Sequence, residues 1–316
     1  MNLKTVAQNF SDEDQARRFL EKQRWPDGVV CPHCGLIGQA YRLEADPESK
    51  NPVRKGVWKC RGCQKQFTVT VGTIFEDSHI PLNKWLMAIH FLCASKKGMS
   101  SHQLHRMLGV TYKSAWFMTH RIREAMSQDS FFPPLNGTVE VDETYIGGKR
   151  KHSGERGRPD VMSNKKPVVT LVERGGRARS QRVARVTADN LSAVMKAHIA
   201  PKTHVVTDDF AGYINVRHTW PMHSVIKHSD GVYSRKGPWG RVHTNTVEGF
   251  FGILKRGING VYHHVSELHL HRYLSEFDFR YNSRKIKDNE RSLLAIKGVA
   301  GKRLMYRDTK PPQEPF

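Results

Sequence analysis

Long apolar runs are missing from this sequence. The longest, Trp85 to Ala94, is about half of the ~20 residues that a membrane-crossing helix needs, and it contains His90. The opening stretch, MNLKTVAQNFSDEDQARRF, alternates charges and has no apolar signal core. No membrane partner is expected, and the cytoplasm is the predicted compartment. Acid is also scarce: 30 Asp and Glu stand against 51 Lys and Arg, a formal net charge of +21. That surplus implies a polyanionic partner, and nucleic acid is the usual one, because each phosphate contacted releases counterions. Cysteine is limited to five residues, four of them in metal-type pairs, which disfavours a disulfide scaffold and fits a reducing compartment. With 38% hydrophobic residues, wholesale disorder is excluded. A chain of 316 residues suggests two or three domains.

The paired cysteines come first. Cys31 and Cys34 form one CxxC, in CPHCG, and Cys60 and Cys63 form another, in WKCRGCQKQF, with twenty-five residues between the pairs. Two such knuckles can offer four thiolates in a tetrahedron, the preferred structural site of Zn²⁺. Gln66 to Val71 reads as a strand after the second knuckle, completing a zinc ribbon over residues 1–72. His33 lies inside a knuckle whose quartet is already complete. Cys93 sits in an apolar helical run and reads as core.

Residues 73–130 read as helical. Trp85, Ile89, Leu92 and Cys93 share one face. Ser100 is a plausible N-cap for a helix running to Leu108, and a turn at Gly109-Val110 leads to a second helix, Tyr112 to Met126. The layout resembles a helix-turn-helix, whose second helix would expose Tyr112, Lys113, His120, Arg121 and Arg123 to DNA. An ordinary helical linker with Trp116, Phe117 and Ile122 in its core is the alternative.

The chemistry is expected in residues 136–290, ahead of a tail (291–316) that reads as a helix and a loose end. Thr138–Ile146, Pro167–Glu173 and Gln181–Thr187 read as three strands, Asn190–Ile199 as a helix and Thr203–Thr207 as a fourth strand. Helices follow at Asn245–Arg256 and Ser266–Tyr281. This order matches a ribonuclease-H-like α/β domain, making the whole chain multidomain α/β. Asp142 falls on the first strand, Asp208 at the end of the fourth, and Glu248 in the first turn of the next helix. Carboxylates so placed can hold two Mg²⁺ (or Mn²⁺) ions for phosphoryl transfer. Each acid also has a simpler reading. Asp142 could be one of several solvated acids, with Glu140 on its own face and Glu143 on the other. Asp208 and Asp209 could initiate a turn. Asn245-x-x-Glu248 could be a capping box. His223, His228 and His243 could position DNA or pack structurally. Trp239, Phe250 and Phe251 read as core. His263, His264, His269 and His271 lie along one segment that cannot aim all four at one ion.

The segment VHTNTVEGFFGILKRGINGVYHHVSELHLHRYLSEFDFRYNSR resembles the C-terminal signature of a bacterial insertion-sequence transposase group, whose members pair an N-terminal zinc ribbon with an ISXO-like DDE catalytic domain. VEVDETYIGGK resembles the group's first-acid motif, VVTDDFAGY its second, and HSVIKHSDGVYSR the stretch that follows. The resemblance runs from about Cys31 to Arg284. It implies Asp142 as first acid and Asp208 as second, with Asp209 at a variable position. At the third position the group is also described with Asn, followed by a Lys. This sequence carries both Asn245 and Glu248, and Glu248 is favoured because a carboxylate is the better hard-cation ligand. Lys255, seven residues on, lies on the same helix face and could contact a phosphate near the scissile bond.

The implied activity is cleavage that frees a 3′-OH, then its joining to target DNA, with no covalent protein–DNA link; Tyr145 and Tyr213 are therefore not nucleophiles. The implied partners are element ends, target double-stranded DNA and a second copy of the chain, in a dimer or larger assembly. The basic segments Lys149–Lys166 and Arg235–Arg241 would cradle phosphates. A DNA-binding regulator with an inactive domain and a structure-specific nuclease are the alternatives.

Overall fold

A computed structural model describes residues 10–44, 53–127, 133–147 and 165–309. Two compact units emerge, one spanning Met1–Met126 with Ile286–Phe316, the other Ser127–Lys285.

In the first unit, α1 (Glu13–Arg24) starts at Asp12, whose carboxylate accepts from the Gln15 N–H at 2.8 Å. A three-stranded antiparallel sheet follows, β1 (Ala40–Arg42), β2 (Trp58–Cys60) and β3 (Gln66–Phe67). The strand expected to continue to Val71 stops at Phe67. From Thr68 the backbone turns, with Val71 N–H donating to Thr68 O and Thr73 N–H to Thr70 O. Helix α2 (Leu82–Ala94) buries Trp85, Ile89, Leu92 and Cys93, the face its periodicity indicates. Helix α3 (Ser101–Leu108) is capped by Ser100 Oγ, accepting from Gln103 N–H at 3.1 Å, and ends at Gly109, whose φ of 59° is the left-handed stop that glycine permits. Helix α4 (Tyr112–Met126) follows. The C-terminal helix, Asp288–Lys297, packs on α2, where Ser292 Oγ lies 3.1 Å from His90 Nδ1.

The second unit is a mixed sheet of five strands covered on both faces. Strands β4 (Thr138–Ile146), β5 (Lys166–Glu173) and β6 (Ala178–Arg182) form an antiparallel meander. Helix α5 (Ala188–His198) returns the chain to β7 (His204–Thr207), which lies parallel to β4, and β8 (His223–Val225) lies parallel to β7. The spatial order is β6-β5-β4-β7-β8. Alternation along β4 and β5 divides the core. Val139, Val141, Val169 and Leu171 pack with Leu191, Val194 and Met195 of α5 on one face. Ile146, Val168 and Val172 pack on the other face with two helices, α6 (Asn245–Gly257) and α7 (Leu270–Asn282). A two-stranded hairpin, β9 (Arg235–Gly237) and β10 (Gly240–Val242), leads into α6.

Candidate functional site

The four paired cysteines converge as their spacing predicts. Their Sγ atoms all lie within 4.8 Å of one another. Cys31 Sγ is 3.7 Å from Cys63 Sγ, and Cys34 Sγ is 3.6 Å from Cys60 Sγ. A tetrahedron of thiolates at the usual Zn–S distance puts its sulfurs about 3.8 Å apart, so the quartet fits Zn²⁺. Each knuckle turns on its own backbone: Gly35 N–H donates to Cys31 O, and Gln64 N–H to Cys60 O. The N–H groups of Cys63 and Gly62 point at Cys60 and bring its thiol down to about 7. His33 faces elsewhere, with Nε2 3.3 Å from Gln66 O and its ring against Phe67.

Helix α4 requires a correction. Tyr112 and Lys113 are exposed, but His120, Arg121 and Arg123 are buried. Arg121 donates from Nη1 to Ile74 O and Glu76 O, each at 2.8 Å, and from Nε to Leu304 O at 2.9 Å. Arg123 donates to Thr119 Oγ1 at 3.1 Å. These cations hold backbone carbonyls and a hydroxyl inside the unit, so they are not available to DNA. The three backbone carbonyls that accept from Arg121 offset the cost of burying its guanidinium.

The acids occupy one end of the mixed sheet. Asp142 faces Thr170 across the β4–β5 ladder, and its Oδ1 accepts from Glu143 N–H at 2.7 Å. Burial pushes its carboxyl up to about 7, and the charges of Glu143, Asp208 and Glu248 push the same way. Asp208 follows the last residue of β7; it too is raised, by burial first, and its Oδ1 accepts from Phe210 N–H at 3.2 Å. Glu248 lies in the first turn of α6, where its Oε1 accepts from Thr244 Oγ1 at 2.8 Å and stands 3.5 Å from His228 Nε2. The three acids thus share one electrostatic neighbourhood. Their oxygens do not all converge as the sulfurs do: among the described residues, only the cysteine quartet gathers ligand atoms within 4.8 Å. Asn245 is exposed and is the first residue of α6, while Thr244 occupies the N-cap position, so the alternative reading of Asn245 and Glu248 as a capping box is not met. Lys255 is exposed in the last turn, with Nζ 5.9 Å from the centroid of the Phe251 ring.

The residue that caps α6 comes from another element. Glu140, fully buried on β4, accepts from Thr246 N–H at 2.8 Å, Val247 N–H at 3.1 Å and Thr246 Oγ1 at 2.8 Å. Arg174 Nε donates to the same carboxylate at 2.6 Å and also holds His243 O at 2.9 Å. One buried carboxylate therefore ties the start of the helix bearing Glu248 to the strand bearing Asp142, two residues away. Sequence reading missed this; the signal was a Glu set between two valines of β4, Val139 and Val141. Glu143 points to the opposite face, where Tyr213 Oη donates to its Oε2 at 2.7 Å.

The three histidines separate. His223 is buried with Nε2 3.0 Å from Thr207 Oγ1, and burial holds its pKa down to about 4. His243 Nδ1 lies 3.2 Å from Glu140. Only His228 reaches the acids. Phe250 and Phe251 are core, but Trp239 is not: it sits at the β9–β10 turn, 44% exposed. The basic segment expected to hold phosphates, Lys149 to Lys166, lies outside the described residues except for its last two positions.

The ISXO2-like transposase domain family matches residues 134–282, and the transposase zinc-ribbon domain family matches residues 11–66. A Halobacterium salinarum protein, named as an uncharacterized protein in transposable element ISH50, is 28% identical over 291 residues, covering 86% of this chain and 91% of that protein. Among solved structures, the Mos1 strand transfer complex aligns over 62% of this chain and 75% of that one, at 14% identity and a TM-score of 0.20. The Mos1 transposase paired-end complex with the left transposon end aligns over 69% and 80%, at 13% identity and a TM-score of 0.19.

Proposed function

The chain belongs to the transposases that carry a zinc-ribbon domain and an ISXO2-like catalytic domain, and from this premise we propose that Asp142, Asp208 and Glu248 are the catalytic carboxylates of a DNA transposase that cleaves and joins strands. One observation carries the reading. Asp142 is a half-buried acid whose proton affinity is raised beside Asp208 and Glu248, in a chain of net charge +21. Surplus negative charge inside a basic protein is what a divalent cation offsets. The strand order, an antiparallel meander followed by two parallel strands in a mixed α/β unit, supports a ribonuclease-H-like reading of the domain.

The donor set is carboxylate oxygen, which suits Mg²⁺ or Mn²⁺. Asp142, Asp208 and Glu248 would hold such ions, and the chemistry these would supply is activation of the attacking oxygen and stabilisation of the leaving oxygen. The protein's own part is positioning. Glu140 and Arg174 fix the start of α6, which sets Glu248 against β4. Thr244 and His228 orient the Glu248 carboxylate. Asn245, exposed on the same turn, and Lys255, two turns along, are assigned to the DNA phosphates flanking the reacting one. The zinc ribbon reads the element ends, together with the exposed Tyr112 and Lys113 of a helix-turn-helix-like pair. Joining two ends to one target calls for a dimer or larger assembly. Among the described residues no helix is long and apolar enough to cross a membrane.

The test is strand transfer of 3′-OH-ended element DNA into a plasmid with Mg²⁺ or Mn²⁺. Asp142→Ala, Asp208→Ala and Glu248→Ala are each expected to lower joining by at least a hundredfold, while Asn245→Ala retains it. Cleavage without joining by the wild type would make the protein a nuclease instead. Loss on Asn245→Ala with activity retained on Glu248→Ala would move the third position to Asn245.

A further inference from the structure

A cavity of about 440 Å³ opens beyond the ends of β7 and β8, and Asp208 forms part of its wall. That volume is within the range of small-ligand sites. Its other walls differ in character from the acid cluster. Phe210, two residues after Asp208, is 40% exposed, and Ile214 is 76% exposed. Both are large apolar side chains held at the mouth of a concavity, the reverse of what burial alone would select. Val225 and His223 close the floor, and His223 is engaged through Nε2 with Thr207 Oγ1. Arg217, exposed, stands on the rim as the cation.

The Phe210 ring is set by its surroundings. It meets the Tyr213 ring edge-on at 6.0 Å, and Tyr213 is pinned through its hydroxyl to Glu143. A Cβ at Gly212 would come within 2.4 Å of Phe210 Cε1, so glycine leaves the ring its space.

An occupant must satisfy apolar walls, a flat aromatic face, a cation on the rim and a carboxylate at one side. The carboxylates of Asp208 and Asp209 repel a phosphate from that side, while Arg217 attracts one to the rim. An uncharged planar ring carrying a phosphate on its outer edge meets all four conditions. We propose that this cavity receives an unpaired nucleobase from the DNA strand adjoining the reacting phosphate. Phe210 and Ile214 lie against the faces of the base, and Arg217 holds the neighbouring phosphate. Stacking of this kind tolerates any base, because every base has a π-face. The inference rests on Asp208 belonging to the reacting centre.

The experiment uses the full-length protein and a duplex spanning the junction between its element's end and the flanking DNA. 2-Aminopurine replaces each nucleotide bordering the cleavage position in turn. Its fluorescence rises when the base leaves the duplex stack. At one position a several-fold rise on binding is expected for wild type and for Asp142→Asn. The rise should be lost in Phe210→Ala and Ile214→Ala, with end binding retained. Both residues are exposed, so the fold should tolerate these changes; Gly212→Ala, which displaces the ring, should act in the same direction. An abasic nucleotide at the responding position should slow wild-type cleavage roughly tenfold or more. It should slow the two variants no further, because the same contact is already gone. No responding position, or defects that multiply, would overturn the proposal. If wild type leaves the intact duplex uncut, the reading of the acids fails. The fluorescence arm then decides the cavity alone, a rise abolished by Phe210→Ala supporting it and no rise refuting it.

Discussion

At the residue scale, two buried carboxylates show how one side chain decides the behaviour of an element. Glu140 accepts from two backbone N–H groups, a hydroxyl and Arg174. Glu140→Gln keeps the shape but removes the charge and turns an NH₂ toward groups that are themselves donors. Breaking a buried pair in this way costs on the order of 3 kcal/mol. A lowered melting temperature is therefore expected together with a fall in strand transfer; unchanged melting would show that Glu140 does not anchor α6. Asp278 is the second case. It is buried, accepts from Ser180 N–H and Oγ, each at 2.7 Å, and burial pushes its carboxyl up to about 7. Its folded pKa thus exceeds the unfolded value near 3.8. The folded state holds this proton more tightly, so the contribution to stability is complete below about pH 4 and is lost as pH rises through about 7. Asp278→Asn removes the ionisation, and the variant should gain on wild type in denaturant melts at pH 8 relative to pH 5. An equal difference at both pH values would refute this.

At the scale of elements, the sequence was legible where periodicity and spacing carry the information. The cysteine knuckles, the limits of β4, the apolar face of α2 and the Ser100 cap all follow from local pattern. The positions of the three candidate acids were legible because each falls at an element end or on a strand whose order is readable. What stayed hidden depends on contacts distant in sequence. A Glu on a strand and an Arg on a helix look solvated until their partners arrive from elsewhere, as Thr246 does for Glu140 and Leu304 does for Arg121. Trp239 misled in the other direction, since a large aromatic suggests core while a tight hairpin holds it outward. The position of α4 follows from Arg121. Arg121→Met would strip three carbonyls of their donor, at about 1–3 kcal/mol for each one left unsatisfied. The expectation is a clear loss of thermal stability in the first unit, with DNA affinity per folded molecule unchanged. A weaker DNA complex at an unaltered melting temperature would return Arg121 to the DNA-facing surface.

At the scale of the whole molecule, the net charge of +21 is the property that most constrains the partner. Two of the cations proposed for DNA are accounted for otherwise, since Arg121 and Arg123 are buried; Arg174 is likewise committed, to Glu140 and to backbone carbonyls. Even so, 30 acids leave a surplus of 21 among the 51 Lys and Arg residues, and several of those acids belong to the proposed catalytic cluster. Duplex DNA is a polyanion on which such a surplus can act, and its binding must then release counterions in proportion to the phosphates contacted. For about six or more contacts, affinity should fall about a thousandfold between 50 and 200 mM salt, with a log–log slope near −0.9 per phosphate. Titrating a random duplex at several salt concentrations measures this directly, with anionic lipid vesicles as the comparison. A slope of two phosphates or fewer would mean that the surplus serves something other than the DNA backbone. Substituting Lys113 should reduce the slope by about one if the exposed start of α4 touches phosphate, and leave it unchanged if that helix pair is only scaffold.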